Sequence, residues 1–196
     1  MRRLVLASTS PRRRELMAKL GLAFEVHAPR FEERSDAELS PRAEALEFAR
    51  AKARSLSADF PEALLIGSDT LIEFEGAKIG KPKDAADARS MLLMLAGKPH
   101  TIHTGLAVFD PSEGRDLSLV RQVKILMRPF DALEVEAYVA TGEPLDKAGA
   151  YAIQGEGRKL IEDVEGDHEA AVGLPTKDLI RLLEEFGVKM DGRGAL

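Results

Sequence analysis

The chain has no cysteine, no tryptophan and no asparagine. The first absence excludes disulfides, thiolate catalysis and zinc sites of the cysteine type. Two tyrosines and no tryptophan leave few platforms for stacking single-stranded nucleic acid. Positive charge is in deficit too: a net charge of −5 and a pI near 5.5 provide no global field for a polyanion. A nucleic-acid or membrane partner is therefore not expected. No apolar run approaches the roughly 20 residues of a membrane helix. Arg2 and Arg3 lead into a strand pattern rather than the apolar region of an export signal, which points to the cytoplasm. A Gly-x-Ser-x-Gly elbow is absent, and Gly155-Glu156-Gly157 lacks the third glycine of a dinucleotide fingerprint. His100 and His103 lie three apart on an expected strand, face opposite sides and make a poor metal pair; His168 stands alone and reads as a surface or packing residue. Gln122 and Gln154 are the only glutamines, arginine is plentiful, and this bias against heat-labile side chains points to a thermophilic source.

What is present is an ordinary globular composition, long enough for one domain or two closely apposed lobes with a packed core. Leu4–Ala7 reads as a strand and Pro11–Leu20 as a helix stopped by Gly21, with Ser10 as N-cap and Pro11 at the first helical position. Phe24–His27 reads as a second strand, and Ser40-Pro41 opens a helix to about Leu56. Ala63–Gly67 is an apolar run of central-strand type ending at Ser68-Asp69-Thr70, followed by a hairpin through Glu75-Gly76. Asp84 begins a helix stopped near Gly97, and strands follow over Thr101–Phe109 and Leu117–Met127. Asp131 with Glu134 resembles a capping box, Arg158–Val164 alternates like a strand, and Pro175–Phe186 forms an amphipathic helix. Helices and strands mix without strict alternation. The expected fold is α/β, with a mixed, strongly bent sheet flanked by helices.

Arg12, Arg13 and Arg14 occupy a first helical turn, where the helix dipole disfavours cations. With Ser8, Ser10 and free backbone N–H groups they describe a polyphosphate pocket; the alternative is a solvated basic turn. Lys52 lies at the margin of its helix's apolar face, where its stem can be buried while its ammonium reaches a cleft. Asp69, at an expected strand end, is either a turn cap or a carboxylate that holds a divalent metal or takes a proton from water. Glu32 and Glu33 point apart on extended chain, so one of them at most completes a metal site. Gly80-Lys81-Pro82 fails as a P-loop, because Pro82 stands where Ser or Thr is needed, and Lys81 is either a separate phosphate contact or a surface lysine. The small-residue stretch from Glu143 to Gly155 is either a tight turn or backbone that lies against a ligand, with Gln154 able to read a base edge.

In order along the chain, Leu6-Ala7-Ser8-Thr9-Ser10-Pro11-Arg12-Arg13, Ala51-Lys52-Ala53, Gly67-Ser68-Asp69-Thr70, Gly80-Lys81-Pro82, Glu143 to Gly155 and Gly173-Leu174-Pro175 resemble the Maf family of nucleoside triphosphate pyrophosphatases, also called septum-formation-inhibitor-like proteins. The resemblance implies a fold related to the inosine triphosphate pyrophosphatases, with two lobes around a central cleft and commonly a homodimer. It implies cleavage of a nucleoside triphosphate to the monophosphate and pyrophosphate. The Ser-Pro-Arg-Arg and Asp-Lys-Ala-Gly-Ala-Tyr-Ala-Ile-Gln-Gly segments look like the subgroup that acts on dTTP and UTP, modified uridine triphosphates included. In that scheme magnesium or manganese is held with help from Asp69 and Glu33, and Asp69 is the catalytic carboxylate. Ser8, Ser10, Arg12, Arg13, Lys52 and Lys81 bind the phosphates, and Gln154 meets the pyrimidine edge. Gly166–Val172 departs from the family's more usual Tyr-containing stretch. The competing expectation is a regulator of septum formation that binds nucleotide without turning it over.

Overall fold

A computed structural model describes residues 2–189. Seven strands are found among them: β1 Leu4–Ala7, β2 Glu25–His27, β3 Leu64–Phe74, β4 Ala77–Ile79, β5 Pro99–Asp110, β6 Arg115–Met127 and β7 Ile161–Glu165. The α-helices are α1 Pro11–Ala18, α2 Pro41–Arg54, α3 Ala85–Leu95, α4 Ala132–Val139, α5 His168–Val172 and α6 Thr176–Glu185. The strands form one mixed sheet in the order β2-β1-β3-β5-β6-β7, with β4 paired to β3. β1 runs parallel to β2 and β3, whereas β4 on β3 and β7 on β6 are antiparallel. No helix of the described residues is long and apolar enough to cross a membrane.

The chain divides into two compact units. Of the described residues, the first holds 2–70, Thr104–Arg121 and 169–189; the second holds Leu71–His103 and Gln122–His168. In the first unit β1 is buried along its whole length, as a central parallel strand must be. Val5, Ala7 and Leu65 pack with Ala53, Leu56 and Ala63. Ala45, Ala49 and Ala53, four apart, form the stripe by which α2 lies on the sheet. That stripe comes unusually close. A Cβ on Gly67 would stand 2.1 Å from the Ala49 carbonyl oxygen, and one on Gly105 would stand 2.2 Å from that of Ala45. In the second unit Ala88, Leu92 and Leu95 of α3 are buried, as are Val135, Tyr138 and Val139 of α4, and the two helices pack together.

Local chemistry explains the helix starts. The hydroxyls of Ser10 and Ser40 accept from backbone N–H groups of Arg13 and Ala43, and Asp131 with Glu134 makes the expected capping box. Two expectations are corrected. β3 does not stop at Gly67 but continues through Ser68, Asp69 and Thr70 to Phe74, so Asp69 is a mid-strand residue and not a turn cap. Its polar side chain is tolerated there because a buried partner from α2 matches it. The segment Gly155–Leu160 winds as a 3₁₀ turn, and only Ile161–Glu165 is strand. The departing segment Gly166–Val172 contains the short helix α5.

Candidate functional site

Alternation along β3 sorts the site into two faces. Gly67 and Asp69 share the face against which α2 lies. Lys52 falls between Ala49 and Ala53, where α2 approaches Gly67 most closely, so its ammonium meets Asp69. Lys52 and Asp69 are both buried, 5% exposed each. The ammonium bonds Asp69 Oδ1 and also lies 2.5 Å from Glu33 Oε1. Asp69 Oδ2 is buried and has no hydrogen-bond partner. A buried carboxylate oxygen without a donor is costly unless function uses it.

Glu33 reaches Lys52 from the loop before α2, and Glu44 of α2 holds that loop. Glu44 is 1% exposed, and its carboxylate accepts from the Asp36 N–H at 2.6 Å and the Ser35 hydroxyl at 3.0 Å.

Ser68 and Thr70 lie on the opposite face of β3. The Ser68 hydroxyl bridges the carbonyls of Gly105 and Gly173, 2.8 Å to each. Thr70 Oγ1 pairs with Thr104 Oγ1 at 3.2 Å, and Thr104 donates to the Ala170 carbonyl at 2.8 Å. Arg13 closes this network: Nε donates to the Gly173 carbonyl at 2.9 Å and Nη2 to Thr70 Oγ1 at 3.2 Å. Burial pulls the Arg13 pKa below the ordinary arginine value, while the charges of Asp69 and Glu33 oppose that shift. Arg13 is thus a half-buried cation within the field of both carboxylates.

The turn between β1 and α1 is fixed by its serines. Ser8 N–H donates to the carbonyls of Leu6 and His27, and Ser8 Oγ accepts from Ser10 N–H at 3.1 Å. Ser10 Oγ caps α1. Arg12 is half-buried and makes no hydrogen bond or ion pair among the described residues. The first unit therefore collects Ser8, Ser10, Arg12, Arg13, Glu33, Lys52 and Asp69 around the ends of β1 and α1 and the middle of β3.

Lys81 and Gln154 belong to the second unit, and both are exposed. The Gly80 carbonyl accepts from Gly149 N–H at 3.0 Å, which joins the Lys81 turn to the small-residue segment. His100 and His103 have separate partners, as their spacing predicted. His100 Nε2 is 2.6 Å from the Tyr151 hydroxyl, and His103 lies between Glu73 at 2.7 Å and Gln122 at 3.2 Å.

Sequence reasoning missed Glu44, Ser68 and Thr104. The first looks like any acidic residue in a first helical turn. The other two act through carbonyls more than 30 positions away, and no local pattern marks such bonds.

Among the described residues no group of three or more His, Asp or Glu could hold a metal unaided. Two carboxylates on one ammonium, one with an uncommitted oxygen, suit magnesium in the way it is held beside nucleotides: one or two carboxylates, with phosphate oxygens and water completing the shell. Cations, serine hydroxyls, a helix start and a buried carboxylate gathered in one unit of an α/β protein are the chemistry that suits an anionic phosphate compound.

Comparison with known proteins agrees. Residues 3–186 match the family described as Maf-like protein, and the chain belongs to the Maf family. It is 46% identical over 193 residues to the dTTP/UTP pyrophosphatase of Moorella thermoacetica, covering 98% of this chain and all of that protein. It is 41% identical to the dTTP/UTP pyrophosphatase of Dictyoglomus thermophilum, covering 95% and 97% of the two chains. Identity to that of Bacillus pumilus is 39%, covering 96% and 98%.

Proposed function

We propose that this protein hydrolyses dTTP and UTP, with modified uridine triphosphates, to the monophosphate and pyrophosphate. The observation that carries the reading is the buried Asp69 carboxylate, held on one oxygen by Lys52 and uncommitted on the other. Water attacks the α-phosphorus, the bond from that phosphorus to the β-phosphate oxygen breaks, and pyrophosphate leaves. Asp69 orients the water and takes its proton. Lys52 holds the carboxylate in place. Arg12, a cation without a protein partner among the described residues, meets the phosphates together with the start of α1 and the hydroxyls of Ser8 and Ser10; Arg13 adds fixed positive charge behind them.

Glu33 and Asp69 are the residues that would hold a divalent cation, magnesium or manganese. When bound, such an ion supplies positive charge to the phosphate oxygens. Lys81 is assigned to the leaving pyrophosphate and Gln154 to the pyrimidine edge. Both assignments rest on residue chemistry and on the family to which the chain belongs. A cytoplasmic homodimer acting on free nucleotides completes the reading.

The test is incubation with dTTP and magnesium, followed by detection of pyrophosphate and dTMP. Release of inorganic phosphate and dTDP instead would overturn the assignment of the attacked phosphorus.

A further inference from the structure

The exposed Gln154 sits on a short segment whose two ends are fastened to one pair of side chains. At the far end, Glu143 Oε2 accepts from Gly157 N–H at 2.9 Å. At the near end, the Tyr138 hydroxyl accepts from Ala152 N–H at 3.1 Å. Burial, and then the facing Glu143 carboxylate, raise the Tyr138 pKa, so the phenol stays protonated. The segment closes on itself: a Cβ on Gly157 would stand 2.5 Å from both the Ala152 carbonyl oxygen and the Tyr138 hydroxyl oxygen. At Gly155, with φ +78°, a Cβ would stand 2.2 Å from Glu143 Oε1. Glu143 is itself held in place, because Lys147 Nζ donates to its carbonyl at 2.9 Å. The brace leaves the Gln154 side chain exposed while fixing the backbone on either side of it.

We infer that Tyr138 and Glu143 are positioning residues that hold Gln154 in the pose from which it selects the base. The inference rests on the proposed triphosphate hydrolysis and on the assignment of Gln154 to the pyrimidine edge. A side-chain amide discriminates donor and acceptor patterns only when its backbone cannot rotate to suit the wrong base. Tyr138 and Glu143 therefore act on selectivity through Gln154 and not on the chemical step.

The experiment measures kcat and KM for dTTP and dCTP with the wild-type protein, Tyr138→Phe, Glu143→Ala, Gln154→Ala and Tyr138→Phe/Gln154→Ala. Thermal midpoints of all five report on folding. Tyr138→Phe and Glu143→Ala each lower the dTTP preference about fivefold to tenfold, the effect of one misplaced hydrogen bond, with kcat for dTTP within about twofold of wild type. Gln154→Ala lowers the preference at least as far, and adding Tyr138→Phe to it lowers it no further. Equal loss on both nucleotides, an unchanged preference in Tyr138→Phe or in Gln154→Ala, or additive losses in the double variant would overturn the inference. Failure of the wild-type protein to release pyrophosphate from dTTP would instead overturn the function on which it rests.

Discussion

Lys52 and Asp69 form a buried ion pair that joins the middle of α2 to the middle of β3, and the carboxylate in that pair keeps one oxygen free of any donor. The pair is half used. What Lys52 leaves open on Asp69 is the group from which the proposed hydrolysis starts.

Removing the ammonium leaves Asp69 buried and uncompensated, and the ion pair to Glu33 is lost as well. Lys52→Met is expected to cost about 3–5 kcal/mol of stability, as does breaking a buried pair on one side. Adding Asp69→Asn to Lys52→Met should restore part of that loss. Denaturant unfolding of the two single variants and the double variant checks this, and strictly additive losses would mean that the pair is not coupled.

The reach of Lys52 depends on how closely α2 lies on β3. Gly67→Ala places a methyl group 2.1 Å from the Ala49 carbonyl oxygen, so the helix must move outward. The expected result is a loss of at least about 2 kcal/mol, the upper part of the range for overpacking, together with reduced turnover as Lys52 withdraws from Asp69. A variant with wild-type stability would show that the helix can shift at no cost.

His100 is a source of acid sensitivity. It is 4% exposed, and burial lowers its pKa from 6.5 to about 4. The folded value lies below the unfolded one, so its contribution is complete above pH 6.5 and is lost as pH falls toward 4. The loss is on the order of 3 kcal/mol when complete. His100→Phe keeps the ring and removes the titration. Its stability should therefore fall less steeply than wild type across that interval, as read from unfolding midpoints at stepped pH. Parallel slopes would remove His100 as the cause.

Much of this was legible in the sequence where the cause is local. Ser10-Pro11 and the Asp131–Glu134 box announced their helices because caps act within three residues. The ordered motifs announced the family, and the matched relatives bear that out. Asp69 was misplaced at a strand end because Ser-Asp-Thr is turn chemistry; what keeps β3 extended there is an ammonium 17 positions away. For the same reason Arg13 looked like a free phosphate contact, and the Gly173 carbonyl to which it is bonded lies 160 positions away. The grip of Tyr138 and Glu143 on the Gln154 segment spans 14 positions at each end and follows no helical or strand period. Residues were found by their chemistry, and their partners by the fold.

The most direct measurement is pyrophosphate release from dTTP by Asp69→Asn, alongside its thermal midpoint. Asparagine keeps the shape and the bond to Lys52 through its carbonyl oxygen but surrenders the negative charge. The account predicts a folded protein whose turnover falls by a factor on the order of 10² or more. A folded variant that retained more than about a tenth of the wild-type rate, where loss of one such group typically costs 10²–10³, would contradict it.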